Sequence, residues 1–181
     1  MSEEEFLAAL TGNASDLRLA IEALRSTGQP FCLIGGLAVN RYVEPVVTLD
    51  ADFAIAAAGG LVEALAARGF RVQEFPHSIN AQLPGSRLRV QITVNSRYAG
   101  FPGRAVPGQV LGHEMPVASL ADLVQGKLWA LHDPERRSSK KAKDEADLVR
   151  ICESHPAMLV LIPVGLIQRI DMMRDESGVK S

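Results

Sequence analysis

The amino-acid sequence predicts an α+β (α/β-like) fold in which a mixed β-sheet is flanked by helices and followed by a helical C-terminal part. Two features of the pattern indicate this class. Short apolar or alternating segments, typical of strands, are concentrated in a core between residues 31 and 95, whereas helical periodicity dominates residues 119–175. Because no repeat and no long linker interrupts the chain, we expect a single domain over residues 1–181.

The N-terminal segment predicts two helices and a strand. Ser2 and Glu5 have the spacing of a capping box, and apolar residues recur at helical intervals over residues 17–24. The apolar run at residues 31–34 is bounded by Gly35-Gly36, and a short run of this kind is typical of a buried strand.

The next segment predicts a short helix and a second strand. Residues 37–42 are compatible with a helix, and a strand is expected to begin near Val46. From residue 49 to residue 55 polar and apolar residues alternate, which predicts a strand with Asp50 and Asp52 on one face and the apolar residues on the other.

Further elements follow the same periodicities. Residues 61–68 predict a helix and residues 71–75 a short strand, while strict alternation over residues 88–95 predicts a strand with one polar face. Residues 96–112 are rich in glycine and proline and are interpreted as a loop with one hairpin, suited to act as a mobile lid.

The C-terminal part is predicted to be helical throughout. Ser119 and Asp122 begin a helix that extends to His132, and residues 140–152 form another. Pro156 then separates this helix from an apolar segment that is expected to form one or two short helices.

Composition excludes several classes of protein. Hydrophobic residues make up 47% of the chain and charged residues 22%, which excludes fibrous and wholly disordered proteins. The formal net charge of -2 provides no general attraction to nucleic acids or membrane surfaces. The acidic start of the sequence does not resemble a signal peptide, and no apolar run reaches the ~20 residues of a membrane span. The two cysteines lack the spacing of metal ligands. We therefore expect a cytoplasmic protein with reduced thiols.

Asp50 and Asp52 are the first candidate functional residues. At positions i and i+2 of a strand their carboxylates point to the same side, where they can hold a hard cation such as Mg²⁺. The same D-x-D pattern also occurs on strand faces that only contact solvent. Its meaning therefore depends on its surroundings.

Gly35-Gly36 provides such a context, because it lies between the predicted strand and helix that precede Asp50 and Asp52. Glycines allow the backbone to approach a phosphate closely, and the free N–H groups at a helix start attract negative charge. Such a pair also forms tight turns that bind nothing. Together, the glycines and the carboxylates predict a site for a nucleoside triphosphate and Mg²⁺.

Two motifs carry a resemblance to a known family. The segment IGGLAVNRYVEPVVTLDADFAI resembles the Gly-Gly and h-D-x-D-h motif of the DNA polymerase β-like nucleotidyltransferase superfamily. The later segment KLWALHDPERRSSKKAKDEADLVRI is similar to the lysine helix, arginine and K-D-x-x-D-L element of small nucleotidyltransferases related to AbiEii-type toxins. The matching residues of this second motif are Lys127, Arg137, Lys143, Asp144 and Asp147.

This resemblance implies a nucleotidyltransferase-type mixed sheet and a carboxylate site for Mg²⁺ with room for two metal ions. It also implies transfer of a nucleoside monophosphate from an NTP to a hydroxyl of RNA, protein or a small molecule. Asp50 and Asp52 would bind the metal and would act in catalysis together with Gln91. The implied nucleotide-binding residues are Gly35, Gly36, Arg41, Thr48, Lys127 and Lys143.

Some of these assignments have a simpler alternative. A lysine on a helix is commonly a solvated side chain, and Asp144 and Asp147 could cap a helix or pair with neighbouring bases. The arginine expected two residues before Thr48 is replaced by Val46, although Arg41 could reach the same phosphate.

The sequence departs from the family pattern at the third carboxylate, where LRVQITVNS provides Gln91. An amide can give a carbonyl oxygen to a cation but cannot act as a base, so activation of the hydroxyl loses about 10²–10⁴-fold. We expect a nucleotidyltransferase with weakened transfer. The alternative is a non-catalytic nucleotide-binding or protein-interaction module such as a toxin–antitoxin component. Expected partners are an NTP, an RNA or protein acceptor and an antitoxin-like protein.

Overall fold

The structure, a computed structural model, describes residues 15–169, and these form two compact units. The first unit ends at Ser119 and the second begins at Leu120. The mixed sheet and the C-terminal helices confirm the predicted α+β class. The prediction of one domain over the whole chain stays a prediction, and the predicted helix near Ser2 lies outside the described residues.

The first unit contains all strands of the described chain. Its helices are α1 (Ser15–Ser26), α2 (Gly35–Val39), α3 (Leu61–Ala66) and α4 (Phe101–Arg104), with a 3₁₀ turn at Ser96–Tyr98. Its strands are β1 (Phe31–Ile34), β2 (Asp50–Ile55), β3 (Arg71–Phe75), β4 (Ser78–Gln82), β5 (Arg89–Thr93), β6 (Val106–Val110) and β7 (His113–Val117).

The seven strands form one mixed sheet in the order β3-β4-β5-β2-β1-β7-β6. Strand β2 is antiparallel to β1 and parallel to β5, and β1 is parallel to β7. The three central strands contribute Leu33, Phe53 and Ile92, which are fully buried. Because side chains alternate along a strand, the buried row on β2 leaves Asp50 and Asp52 on the opposite face.

Strand β2 begins later than predicted, at Asp50 instead of near Val46. The Asn40 side chain accepts a hydrogen bond from the Val46 backbone N–H at 3.0 Å and donates one to the Val46 carbonyl at 2.7 Å. A side-chain amide therefore satisfies the backbone groups of Val46, and this segment is held as a loop.

Two elements of the sheet differ from the prediction. Strand β4 was not predicted, because only Ile79 and Ala81 are apolar and buried in it. The hairpin predicted within residues 96–112 is present in part, since β6 lies in this segment and pairs with β7, but β7 lies beyond it and was not predicted. Proline and glycine in β6 suppress the strand signal, yet both are tolerated because β6 lies at the edge of the sheet.

The second unit consists of helices, as predicted. Helix α5 spans Leu120–His132, α6 spans Ser138–Ser154, a 3₁₀ helix covers Pro156–Leu161, and residues 164–169 are helical. The buried apolar residues of α5 and α6 are Leu123, Val124, Leu128, Leu148, Ile151 and Cys152. None of the helices within residues 15–169 is both long and apolar enough to span a bilayer.

Candidate active site

The turn from β1 into α2 brings the backbone of Gly35 against the carboxylate of Asp52. Gly35 has φ +69, a left-handed conformation that favours glycine. A Cβ atom at Gly35 would overlap Asp52 Oδ2 and would also lie 2.8 Å from Asp52 Cβ. Gly35 is therefore required both by its backbone conformation and by the close approach of Asp52.

Strand register places further side chains beside the two aspartates. On β1, Ile34 is the partner of Asp52, and on the parallel strand β5 the partner of Asp52 is Gln91. The same register pairs Asp50 with Arg89. Because directly paired residues share a face of the sheet, Asp50, Asp52, Arg89 and Gln91 form one polar group.

Arg89 is a member of this group that the sequence did not identify as a site residue. One of its guanidinium nitrogens lies 2.7 Å from Asp50 Oδ1. The Arg89 side chain is 61% exposed and the Asp50 side chain 18% exposed. The sequence signal was present, since Arg89 lies two residues before Gln91 on the alternating strand, but only the register of β2 with β5 brings it to Asp50.

Asn80 extends the polar row to a third strand. It is the antiparallel partner of Gln91 on β4, so both side chains lie on the same face. Asn80 Oδ1 is buried and has no hydrogen-bond partner among the residues that the structure describes. Because β4 was not predicted, no pattern in the sequence placed Asn80 beside Gln91.

The oxygen atoms of this group fit a hard divalent cation. Asp50 and Asp52 supply carboxylates and Gln91 supplies an amide carbonyl, which are the ligand types that Mg²⁺ prefers. No cluster of three His, Cys, Asp or Glu residues suited to a metal occurs within residues 15–169. Mg²⁺ commonly uses one or two carboxylates and completes its shell with water and substrate phosphates.

Thr48 and Arg41 lie near this group along the chain. Thr48 is buried, and its Oγ1 accepts a hydrogen bond from the Asp50 backbone N–H at 3.3 Å, which holds the start of β2. Arg41 is exposed and follows α2. It lines a cavity of about 360 Å³ together with Leu37, Asn40, Gln109 and Val110.

Lys127 and Lys143 belong to the second unit. Lys127 is only 8% exposed, and its Nζ donates hydrogen bonds to Asp144 Oδ1 at 2.8 Å and to Asp147 Oδ2 at 2.6 Å. Burial by itself lowers the pKa of Lys127, but the charges and hydrogen bonds of the two aspartates outweigh it, and the pKa is raised. Lys127 is therefore charged at neutral pH.

Two arginines complete this buried cluster. Arg136 Nε lies 2.6 Å from Asp144 Oδ2, and an Arg150 guanidinium nitrogen lies 2.8 Å from Asp147 Oδ1. The sequence motif assigns Arg137, whereas the structure brings its neighbour Arg136 and also Arg150 to the cluster. Nucleotide contact by Lys127 and Lys143 stays a prediction from the resemblance.

Replacing Gly35 by alanine should destabilise the protein more than the same change at Gly28. Both glycines have φ +69, but a Cβ at Gly28 would meet nothing within 4 Å. Gly28→Ala therefore measures backbone strain alone, and Gly35→Ala should cost about 2 kcal/mol more because the added methyl group displaces Asp52. Urea denaturation of the two variants gives this difference. Equal losses would show that Asp52 moves away from Gly35 without cost.

Several solved structures have a fold similar to that of this chain. The antibiotic-resistance factor ANT(2'')-Ia has a TM-score of 0.58 at 13% identity, over 89% of this chain and 94% of its own. JHP933 from Helicobacter pylori has a TM-score of 0.55 at 18% identity, over 93% and 73%. The lincosamide antibiotic adenylyltransferase LnuA has a TM-score of 0.50 at 13% identity, over 75% and 96%. At these identities the likeness shows the fold.

Sequence comparison identifies the family. No curated protein matches the chain. The family model described as nucleotidyl transferase AbiEii toxin, type IV TA system, matches residues 56–170, which is more than half of the chain. The match begins after β2, so Gly35-Gly36 and the two aspartates lie outside it. The match confirms the resemblance found in the sequence, and the chain belongs to the AbiEii family of nucleotidyl transferase toxins.

Proposed function

We propose that the first unit binds a nucleoside triphosphate with Mg²⁺ and transfers the nucleoside monophosphate to a hydroxyl of RNA, protein or a small molecule. The observation that carries this proposal is the position of Asp52. Its carboxylate lies against the Gly35 backbone and has Gln91 as its partner on the neighbouring strand. A phosphate-binding turn and a cation-binding strand are thereby adjacent.

Each residue of this group has a distinct proposed role. Asp50 and Asp52 hold Mg²⁺, which when bound neutralises charge on the phosphate oxygens. Gly35 leaves room for Asp52 beside this turn, and Gly36 behind it is buried, so the triphosphate would contact the turn through its backbone N–H groups. Arg41 is exposed and can pair with a phosphate. Thr48 is a nucleotide contact in the resemblance, and its hydrogen bond supports it as the residue that holds Asp50 in place.

The transfer step places one demand on the chain that Gln91 does not meet. The acceptor oxygen forms a bond to the α-phosphorus, the bond from that phosphorus to the bridging oxygen breaks, and pyrophosphate leaves with the electron pair. The hydroxyl proton must also be removed. An amide cannot accept this proton, so it passes to water and the reaction is slow.

The position of Gln91 also favours a second candidate function. A site with two carboxylates and an amide can bind a cation and a nucleotide without efficient transfer. Such a protein would act through binding, with an antitoxin-like protein as its partner in a toxin–antitoxin system. Under either function we propose a cytoplasmic protein.

Thermal unfolding with each of the four NTPs, with and without Mg²⁺, tests the nucleotide site. Ligand at about a hundred times its Kd should add ~2.7 kcal/mol of stability, a shift of several degrees. The shift should require Mg²⁺ and should vanish in Asp52→Asn, which keeps the side-chain volume against Gly35 but removes the charge.

Glu74→Gln is the matched control for this experiment. Glu74 is an exposed carboxylate on β3, the edge strand of the same sheet, and its variant should keep the full shift. The proposal fails if no NTP stabilises the wild-type protein, or if Asp52→Asn responds to NTP and Mg²⁺ as the wild type does.

A further inference from the structure

Arg89 is a positive charge placed on a carboxylate that the proposed function assigns to a cation. It is the first residue of β5, and register with β2 brings its guanidinium to 2.7 Å from Asp50 Oδ1. The guanidinium of this pair is accessible to solvent, because the Arg89 side chain is 61% exposed. Exposed ion pairs contribute little to stability, so this contact can be exchanged for another.

The charges of the polar group formed by Asp50, Asp52, Arg89 and Gln91 show how this contact affects cation binding. Arg89 places a positive charge against the carboxylate of Asp50, and Gln91 on the same strand adds no charge. A divalent cation held by both aspartates would lie within a few ångströms of the guanidinium and would be repelled by it. The contact between Arg89 and Asp50 therefore opposes binding of a free cation.

A nucleotide changes this balance. Its triphosphate is strongly anionic, and arginine binds phosphate oxygens through paired N–H donors. The long, largely exposed side chain of Arg89 can turn from Asp50 toward such an anion while its backbone stays in the β2–β5 ladder.

We propose that Arg89 occupies Asp50 as an internal cation and moves to the triphosphate when a cation–nucleotide complex binds. This inference rests on the proposed function and adds a residue to its site. It makes loading of the cation depend on the nucleotide, because the site binds a free cation weakly and the complex well.

Substitution of Arg89 should therefore change the two affinities in opposite directions. In Arg89→Gln, free Mn²⁺ should bind roughly tenfold more tightly, the factor expected from repulsion between a divalent cation and a guanidinium about 6 Å apart in water. The Mn²⁺–NTP complex should bind more weakly, because a phosphate contact is lost. A purely structural role of Arg89 would not produce opposite changes.

The experiment measures binding of free Mn²⁺ by the loss of the free-ion electron paramagnetic resonance signal. Binding of the Mn²⁺–NTP complex is measured separately, by equilibrium dialysis of radiolabelled NTP against the protein at saturating Mn²⁺, because an NTP chelates Mn²⁺ without the protein. Arg87→Gln is the matched control, since Arg87 is also exposed and lies two residues before Arg89. It measures the general effect of removing one positive charge nearby. Asp52→Asn measures how much Mn²⁺ binds outside the proposed site.

The possible results separate the inference from the proposed function. Opposite changes in Arg89→Gln alone support the inference. Equal behaviour of Arg89→Gln and Arg87→Gln would overturn the inference, and so would tighter Mn²⁺ binding with unchanged NTP binding. The proposed function would still stand in both cases if binding of Mn²⁺ and NTP depends on Asp52. Absence of any Asp52-dependent binding of Mn²⁺ and NTP would overturn both.

Discussion

Replacement of Lys127 by methionine should lower the free energy of unfolding by about 3 kcal/mol. The Lys127 ammonium lies between Asp144 Oδ1 and Asp147 Oδ2 and is almost fully buried. Methionine fills much of the same volume but leaves both buried carboxylates without this partner. The loss falls at the lower end of the range for broken buried ion pairs, because Asp144 and Asp147 each keep one arginine contact. Urea denaturation followed by circular dichroism measures it.

Lys141→Met is the control for this prediction. Lys141 lies on α6 and is partly exposed, and its variant should stay within about 0.5 kcal/mol of the wild type. If Lys127→Met loses no more than Lys141→Met, the two aspartates do not depend on the ammonium and the cluster does not stabilise the second unit. Because no nucleotide is present in this denaturation, a loss of stability reports the structural role of Lys127 and not a nucleotide contact.

The segment from β1 to β2 could be predicted from the sequence because its signals are local. The apolar run of β1 ends at Gly35-Gly36, and polar and apolar residues alternate along β2. Each pattern is complete within a few residues. The sequence therefore indicated both the strand–turn–helix and the shared face of Asp50 and Asp52.

The remaining site residues depend on strand pairing, which the sequence does not encode locally. Arg89 reaches Asp50 only because β5 runs parallel to β2 in a particular register. Asn80 lies beside Gln91 only because β4 joins the sheet, and β4 has too few apolar residues to be predicted. A contact between strands far apart in the chain requires the topology.

Burial of Lys127 could not be predicted for a related reason. Lysine and aspartate are almost never buried unless they are paired, so their occurrence on helices normally predicts a solvated face. Here Lys127 on α5 meets Asp144 and Asp147 on α6. Asp144 and Asp147 are three residues apart on one helix and so lie near each other, but the lysine that permits their burial comes from another helix.

Gln91→Asp should raise nucleotidyl transfer by about 10²–10⁴-fold, the contribution typical of a positioned general base. The introduced carboxylate would lie on β5, directly beside Asp52 on β2. It would provide a third carboxylate for the cation and an acceptor for the hydroxyl proton. Gln91 is exposed, so the shorter side chain should be tolerated. Because the acceptor is unidentified, release of pyrophosphate from each NTP with water as acceptor measures the rate, and labelling from α-³²P NTP detects transfer to the protein itself.

Gln91→Asn separates the charge from the change in side-chain length, since it shortens the side chain equally but cannot accept a proton. It should leave the rate near that of the wild type. A rise in Mn²⁺ affinity without a rise in rate would favour the binding-only function, because the third carboxylate would then complete the cation site of a protein that lacks other parts of the catalytic machinery. If Gln91→Asp changes neither the cation affinity nor the rate, Gln91 does not occupy the third position, and the slow transfer expected here would lose its physical explanation.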